Sequence, residues 1–201
     1  MLKELFESSF YMTYPHDENV LPNVTETIYV GSFALVDPSA CVGCRDICNP
    51  NPMQRQQLRL FTSTDVHAVK MDDVLKYVKD NLGEHCDYIL DNGHKFCLVE
   101  MTCANDVHVG SKRLKSRSQL FNSISSLRAC YAIREHIDAA EQCYVVFSWR
   151  KTEVGDENDP VEKTMLKMIA VSDEIYSPDN ESNFDNTFKY KEIRYPDVYL
   201  Y

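Results

Sequence analysis

Residues 86–102, Cys-Asp-Tyr-Ile-Leu-Asp-Asn-Gly-His-Lys-Phe-Cys-Leu-Val-Glu-Met-Thr, place an Asn-Gly pair between two runs of strand-forming side chains. This pattern constrains the chain more than any other. It predicts a tight β-hairpin, because both central residues of a type I′ turn need positive φ and Asn-Gly tolerates it best. With Asn92 and Gly93 as the loop, Asp91 faces His94, Leu90 faces Lys95 and Asp87 faces Leu98. Side chains alternate across a strand, so Leu98, Glu100 and Thr102 share a face with Asp87. Asp87 and Glu100 are then diagonal neighbours about 7–8 Å apart at Cα, close enough for both carboxylates to bind one divalent cation. Glu100 also lies among Phe96, Cys97, Leu98, Val99 and Met101, the pattern of a strand covered on both faces. A carboxylate there needs a partner, since an unpaired buried charge is too costly; a cation is one solution and a neighbouring Lys or Arg another. The competing reading leaves both acids as solvated charges on the open side of an antiparallel sheet.

The flanking sequence predicts what the hairpin packs against. Residues 26–36 and 58–71 read as strands, and residues 72–82 as a short helix with Leu75, Val78 and Leu82 on one face and Gly83 just past its end. After the hairpin, Leu120, Ile124, Leu127 and Tyr131 recur at four, three and four residues, which predicts one helix over about 111–136. Residues 143–149, Cys-Tyr-Val-Val-Phe-Ser-Trp, read as a buried strand. Strand, strand, helix, strand gives a βαβ crossover joined to a hairpin, hence an α/β fold with a mixed sheet. Residues 151–160 are a polar connection, 164–175 fit helix or strand, and 188–201 form a tyrosine-rich extended segment. The 201 residues, 44% of them hydrophobic, suit one domain. Its core is expected at about 71–150, with a strand and Cys-rich loop region at 1–70 and a C-terminal extension at 151–201.

No run of 18 apolar residues occurs and the opening residues lack the apolar stretch of a signal peptide, so a cytoplasmic protein with no membrane association is expected. The eight cysteines are then read as free core thiols or, in part, metal ligands rather than disulfides. A net charge of −10 argues against nonspecific coating of nucleic acid, which needs a broad basic surface. Charge is nonetheless clustered, with Lys112, Arg113, Lys115 and Arg117 gathered at the start of the helix after the hairpin. Cations there oppose the helix macrodipole unless they face an anion or nearby acids. Either phosphate or a solvated helix start accounts for them.

Asp87, twelve intervening residues, Glu100-x-Thr102, an amphipathic helix and a buried strand together resemble the core of the PD-(D/E)XK nuclease-like superfamily, the restriction endonuclease-like proteins, over roughly residues 71–150. The resemblance implies that Asp87 and Glu100 bind Mg²⁺ or Mn²⁺ and that a Lys two residues after the Glu helps activate water for phosphodiester hydrolysis, with DNA as substrate. Thr102 stands in that Lys position, and Cys86 where a Pro is expected. A threonine hydroxyl cannot supply the positive charge. Lys112 or Lys115 is the expected surrogate, Gln119 resembles a helical Gln that orients water or substrate, and Arg113 and Arg117 are expected to contact substrate. A rival reading makes the chain a catalytically inactive nuclease-like fold that binds nucleic acid, a protein partner or a second copy, with the acidic surface and tyrosine-rich end as its interface.

Cys41-x-x-Cys44-x-x-x-Cys48 has a spacing compatible with a structural zinc, its fourth ligand coming from Cys86, Cys103 or a histidine, although it is half a motif and free loop thiols fit better. His16, His94 and His108 are weaker metal candidates. No P-loop, dinucleotide-binding glycine pattern, HExxH or GxSxG motif occurs.

Overall fold

The computed structural model describes residues 2–17, 19, 21–36, 58–104, 108–151, 182–195 and 197–201. In chain order these form α1 (Leu2–Leu5), a π-helical turn (Phe6–Phe10), α2 (Tyr11–Thr13), β1 (Glu26–Leu35), β2 (Leu58–Lys70) and α3 (Met71–Leu75). There follow β3 (Tyr88–Asp91), β4 (Lys95–Ala104), α4 (Val109–Ala129), α5 (Tyr131–Ala139), β5 (Gln142–Lys151), β6 (Ser182–Asn183), β7 (Phe188–Tyr195) and β8 (Val198–Leu200). Among the described residues one eight-stranded mixed sheet has the order β1-β2-β3-β4-β5-β7-β6, with β8 beside β2. The expected α/β class and the hairpin-plus-crossover order hold: β3 and β4 are antiparallel, and α4 and α5 carry the chain to β5, parallel to β4.

Both sheet faces are covered, which is why β4 reads as a continuous apolar run. On one face, Leu98, Val145, Phe147 and Tyr190 pack with Leu120, Ile124 and Leu127 of α4 and with Leu2, Phe6 and Phe10 of the N-terminal helical segment. That segment closes the helical layer and was not anticipated from the sequence. On the other face, Cys97, Val99, Met101 and Val146 pack with Leu35, Leu58 and Leu60 from the far ends of β1 and β2. The β1–β2 ladder therefore folds back over the sheet, and its register shift between Tyr29 and Gly31, with Gly31 at φ 74°, is where the bend is made. The far half of β2 is then free to take β8 as a parallel neighbour at Arg59–Phe61.

Three local expectations are corrected. The hairpin pairs Asp91 with Phe96 and Leu90 with Cys97, two residues away from the Asn92-Gly93 two-residue loop. Gly93 alone takes positive φ, at 84°, so the turn is not type I′. Side chains shape it instead: Asn92 Oδ1 accepts from the His94 and Lys95 amides at 3.1 and 2.8 Å, and Asp91 Oδ1 from the Gly93 amide at 2.9 Å. The helix expected over 72–82 is only Met71–Leu75, because the chain is then drawn onto the N-terminal segment, where Val78 bridges His16 and the Lys79 amide reaches the Pro15 carbonyl at 2.8 Å. The helix expected over 111–136 is two helices, separated at Cys130, which is extended (φ −82°, ψ 117°) and buried. No Gly or Pro marks that break; the joint packing of Leu127, Cys130 and Ile133 into the core decides it.

Candidate active site

Asp87 ends the segment that leads into β3, and the strand geometry changes at this residue. Its amide donates to the Val99 carbonyl at 2.9 Å, although Val99 is already the partner of Tyr88. Two residues thus oppose one, as in a β-bulge. The packing agrees: Cys86 and Ile89 lie in the helix-side core while Tyr88 lies in the opposite one, which strict alternation from 86 to 89 would forbid. The extra residue is Asp87. Its side chain is turned onto the neighbouring strand, where Oδ2 accepts the Met101 amide at 2.6 Å. The carboxylate is held against the peptide joining Glu100 to Met101. The expected diagonal pairing, with Asp87 facing Leu98, is replaced by this closer arrangement.

Glu100 is buried, with 7% exposure, in the middle of β4. A two-residue slip in hairpin register leaves every side chain on its face, so Glu100 points to the helical layer as the sequence pattern implies. It faces Phe147 on β5, which in turn faces Glu192 on β7. The next row on that face is Thr102, Trp149 and Arg194. Burial pushes the Cys86 thiol far above its ordinary range, and the charges of Glu100 and Asp87 add to the effect. Cys86 is accordingly a neutral core group.

Helix α4 lies across this row and fastens both of its ends. At the β3 side, Gln119 Nε2 donates to the His85 carbonyl at 3.3 Å, the Cys86 amide donates to Ser123 Oγ at 2.8 Å, and His85 Nε2 meets Ser126 Oγ at 3.0 Å. Burial lowers the His85 pKa, so its ring is neutral. At the β7 side, Arg113 forms a two-pronged pair with Glu192, Nε to Oε2 at 2.6 Å and a terminal nitrogen to Oε1 at 2.7 Å. Trp149 Nε1 also donates to Glu192 Oε1, at 3.0 Å, and the Tyr190 hydroxyl is 3.4 Å from Oε2. Between Arg113 and Gln119 on this inward side, the Ser116 hydroxyl is buried with no hydrogen-bond partner among the described residues.

The residues expected at the site therefore divide. Asp87 is seated on the amide that follows Glu100 in β4. Arg113 is committed to Glu192, and Gln119 to the loop before β3. Lys115 lies on the surface, 2.9 Å from Glu84, and Lys112 is exposed on the first turn of α4. Arg117 stacks over Tyr190 and Phe184, with ring centroids at 4.8 and 5.2 Å. Acids thus meet two of the four clustered cations. Glu192, Trp149, Tyr190 and Arg194, which were not anticipated, come from the chain's last third. Their one sequence signal is the i, i+2 spacing of Tyr190, Glu192 and Arg194, which puts the three on one strand face.

The cysteines proposed for zinc, Cys41, Cys44 and Cys48, lie outside the described residues. Of their suggested fourth ligands, Cys86 is in the core and Cys103 is half-buried on β4. His94 is exposed and pairs with Glu141 at 2.8 Å, and His16 packs against the Tyr11 ring. Among the described residues no group of three or more His, Cys, Asp or Glu side chains is placed to share an ion. Two carboxylates of a hard oxygen donor set still suit Mg²⁺ or Mn²⁺, which commonly take one or two protein carboxylates and keep water for the remaining positions. No described helix is long and apolar enough to cross a membrane. No family model, curated protein or solved structure matches the chain.

Proposed function

We propose that the chain is a metal-dependent nuclease-like phosphodiesterase, with Asp87 and Glu100 holding Mg²⁺ or Mn²⁺ and DNA as its substrate. The observation that carries this reading is the seating of the Asp87 carboxylate on the Met101 amide, beside the buried Glu100. Bringing two carboxylates together in a partly apolar setting raises the cost of ionising both, and a divalent cation offsets that cost. When bound, the ion supplies Lewis acidity and a water that loses its proton near neutral pH. The protein's own contribution is positional: the bulge aims Asp87, the Met101 amide holds it, and Gln119 and Ser123 fix the segment that carries it. Thr102, one row beyond Glu100, offers a hydroxyl to a substrate oxygen.

A second reading, a catalytically inactive nuclease-like fold that binds nucleic acid or a protein, is favoured by Thr102 in the Lys position and by the attachment of Lys115 to Glu84. One experiment separates the two. In the catalytic reading, calorimetry detects Mn²⁺ binding that Glu100→Gln abolishes, and the wild type cleaves DNA only with Mg²⁺ or Mn²⁺ while Asp87→Ala does not. Wild-type protein that leaves single- and double-stranded DNA and RNA intact in both metals overturns it.

A further inference from the structure

Three guanidinium groups stand in file along the helix-facing side of β7. Arg117 lies over the rings of Tyr190 and Phe184, Arg113 is clasped by Glu192, and Arg194 lies over the Trp149 ring at 5.1 Å. The strand residues that set them, Tyr190, Glu192 and Arg194, are two apart, a step of about 6.6 Å along a strand. That repeat is comparable to the separation of successive phosphates in an extended nucleic acid strand, so Arg117 at Tyr190 and Arg194, two steps apart, match alternate phosphates. Each group is also held in place before any ligand arrives. Contact with an aromatic ring restrains Arg117 and Arg194, and a guanidinium over a ring can still offer N–H groups to a phosphate, a use for which lysine is poorly suited. Arg194 is exposed and Arg117 half-exposed, whereas Arg113 is largely neutralised by Glu192.

We infer that this file is a track for the sugar-phosphate backbone of a single nucleic acid strand, with Arg117 and Arg194 as its two phosphate contacts. The inference rests on the phosphodiesterase reading for the chemistry near its end: Glu192, in the middle of the file, lies two strands from Glu100 in the same row, with Phe147 between them. One file of cations fits one backbone, and a chain of net charge −10 disfavours a broad nucleic-acid contact.

The test is fluorescence anisotropy of a labelled single-stranded DNA oligonucleotide with the full chain, in EDTA, so that binding is measured without metal or cleavage. Replacing both arginines, Arg117→Ala with Arg194→Ala, is expected to weaken binding by about tenfold or more at low salt. It is also expected to lower the slope of log affinity against log salt by about 1.4, the value for two single-strand phosphate contacts. Because Arg117 covers two rings and Arg194 one, Arg194→Glu alone is the milder control, with its fold checked by circular dichroism, and it should weaken binding at least as much as Arg194→Ala. Unchanged affinity and slope in the double variant overturn the track. Equal affinity for a duplex of the same length overturns its assignment to a single strand. Loss of the track with Mn²⁺ binding retained at Asp87 and Glu100 refutes this inference alone, whereas intact oligonucleotide binding without Mn²⁺ binding refutes the catalytic reading alone.

Discussion

The two ends of the β3–β4 hairpin each carry a half-buried or buried aspartate, and they treat it in opposite ways. At the turn, Asp91 is 1% exposed; it takes the Gly93 amide on one oxygen and His136 Nε2, at 2.8 Å, on the other. At the open end, Asp87 takes a backbone amide from the strand that bears a second acid, and the strand bulges to put it there. The first arrangement lowers the free energy of the fold: a carboxylate meets a titratable cation donor and ties α5 to the sheet. The second seats an acid on the strand that bears another acid, and neighbouring like charges raise the cost of ionising both. Glu192 shows that this fold can neutralise a buried acid fully when it uses an arginine. The contrast is between an aspartate tied to a histidine and one seated on the amide that follows a second buried acid.

The largest effect expected from breaking this pattern is at Glu192. Removing its partner by Arg113→Ala leaves a buried carboxylate short of charge, and with Arg113 partly exposed the loss should fall at the lower end of about 3–5 kcal/mol, measured by urea denaturation. Replacing both residues by methionine should restore most of that loss, since it is the orphaned charge rather than the missing pair that is costly. An equally unstable double variant would show that the pair itself is the support.

At the turn end, the Asp91 hydrogen bond raises the His136 pKa above its ordinary value, outweighing burial. The folded state therefore holds the proton more tightly than the unfolded one. The stabilisation is fully present below the unfolded pKa, about 6.5, and fades as pH rises through the higher folded value. His136→Gln should thus cost about 1.5–3 kcal/mol at pH 5.5, the range for a hydrogen bond to a charged group, and clearly less at pH 8.5. A loss that is the same at both pH values would contradict the charged pairing. His85, whose pKa burial lowers, works in the other direction: it favours the folded state as pH rises through its unfolded value, so the two histidines are best separated by single variants.

The smallest stability change is expected at the open end of the hairpin. Glu100→Gln removes one of two neighbouring negative charges without changing volume, so metal-free protein should be as stable as the wild type or gain up to about 1 kcal/mol. Added Mn²⁺ should raise the midpoint of unfolding of the wild type and leave that of the variant unmoved. A destabilised metal-free variant would mean that Glu100 is a structural acid like Glu192, and the contrast between the two ends of the hairpin would fail.

Much of the sheet was legible because it rests on local rules. The β-like runs at 26–36, 58–71 and 143–149 became β1, β2 and β5, and the order of hairpin, helical crossover and buried strand followed from period and chain connectivity. The face borne by Glu100 was also legible, since a period of two survives a two-residue error in register. The helices were read less well. The five-residue α3 and the break at Cys130 depend on what the chain meets in space, namely the His16 segment and the core around Ile133, and neither leaves a local mark.

The sequence by itself determined that a hairpin would set Asp87 and Glu100 on adjoining strands, because turn chemistry and alternation act over a few residues. Only the tertiary structure decided how Asp87 is aimed, since the bulge comes from fitting Cys86 into the helix-side core while Tyr88 enters the other. Only it decided what became of the basic cluster, with Arg113 drawn to Glu192 and Arg117 to Tyr190 across more than seventy residues of sequence. Ion pairs and stacking carry no sequence periodicity. They form between whichever side chains the sheet order brings within a few ångströms, and that order is fixed by burying the whole core at once.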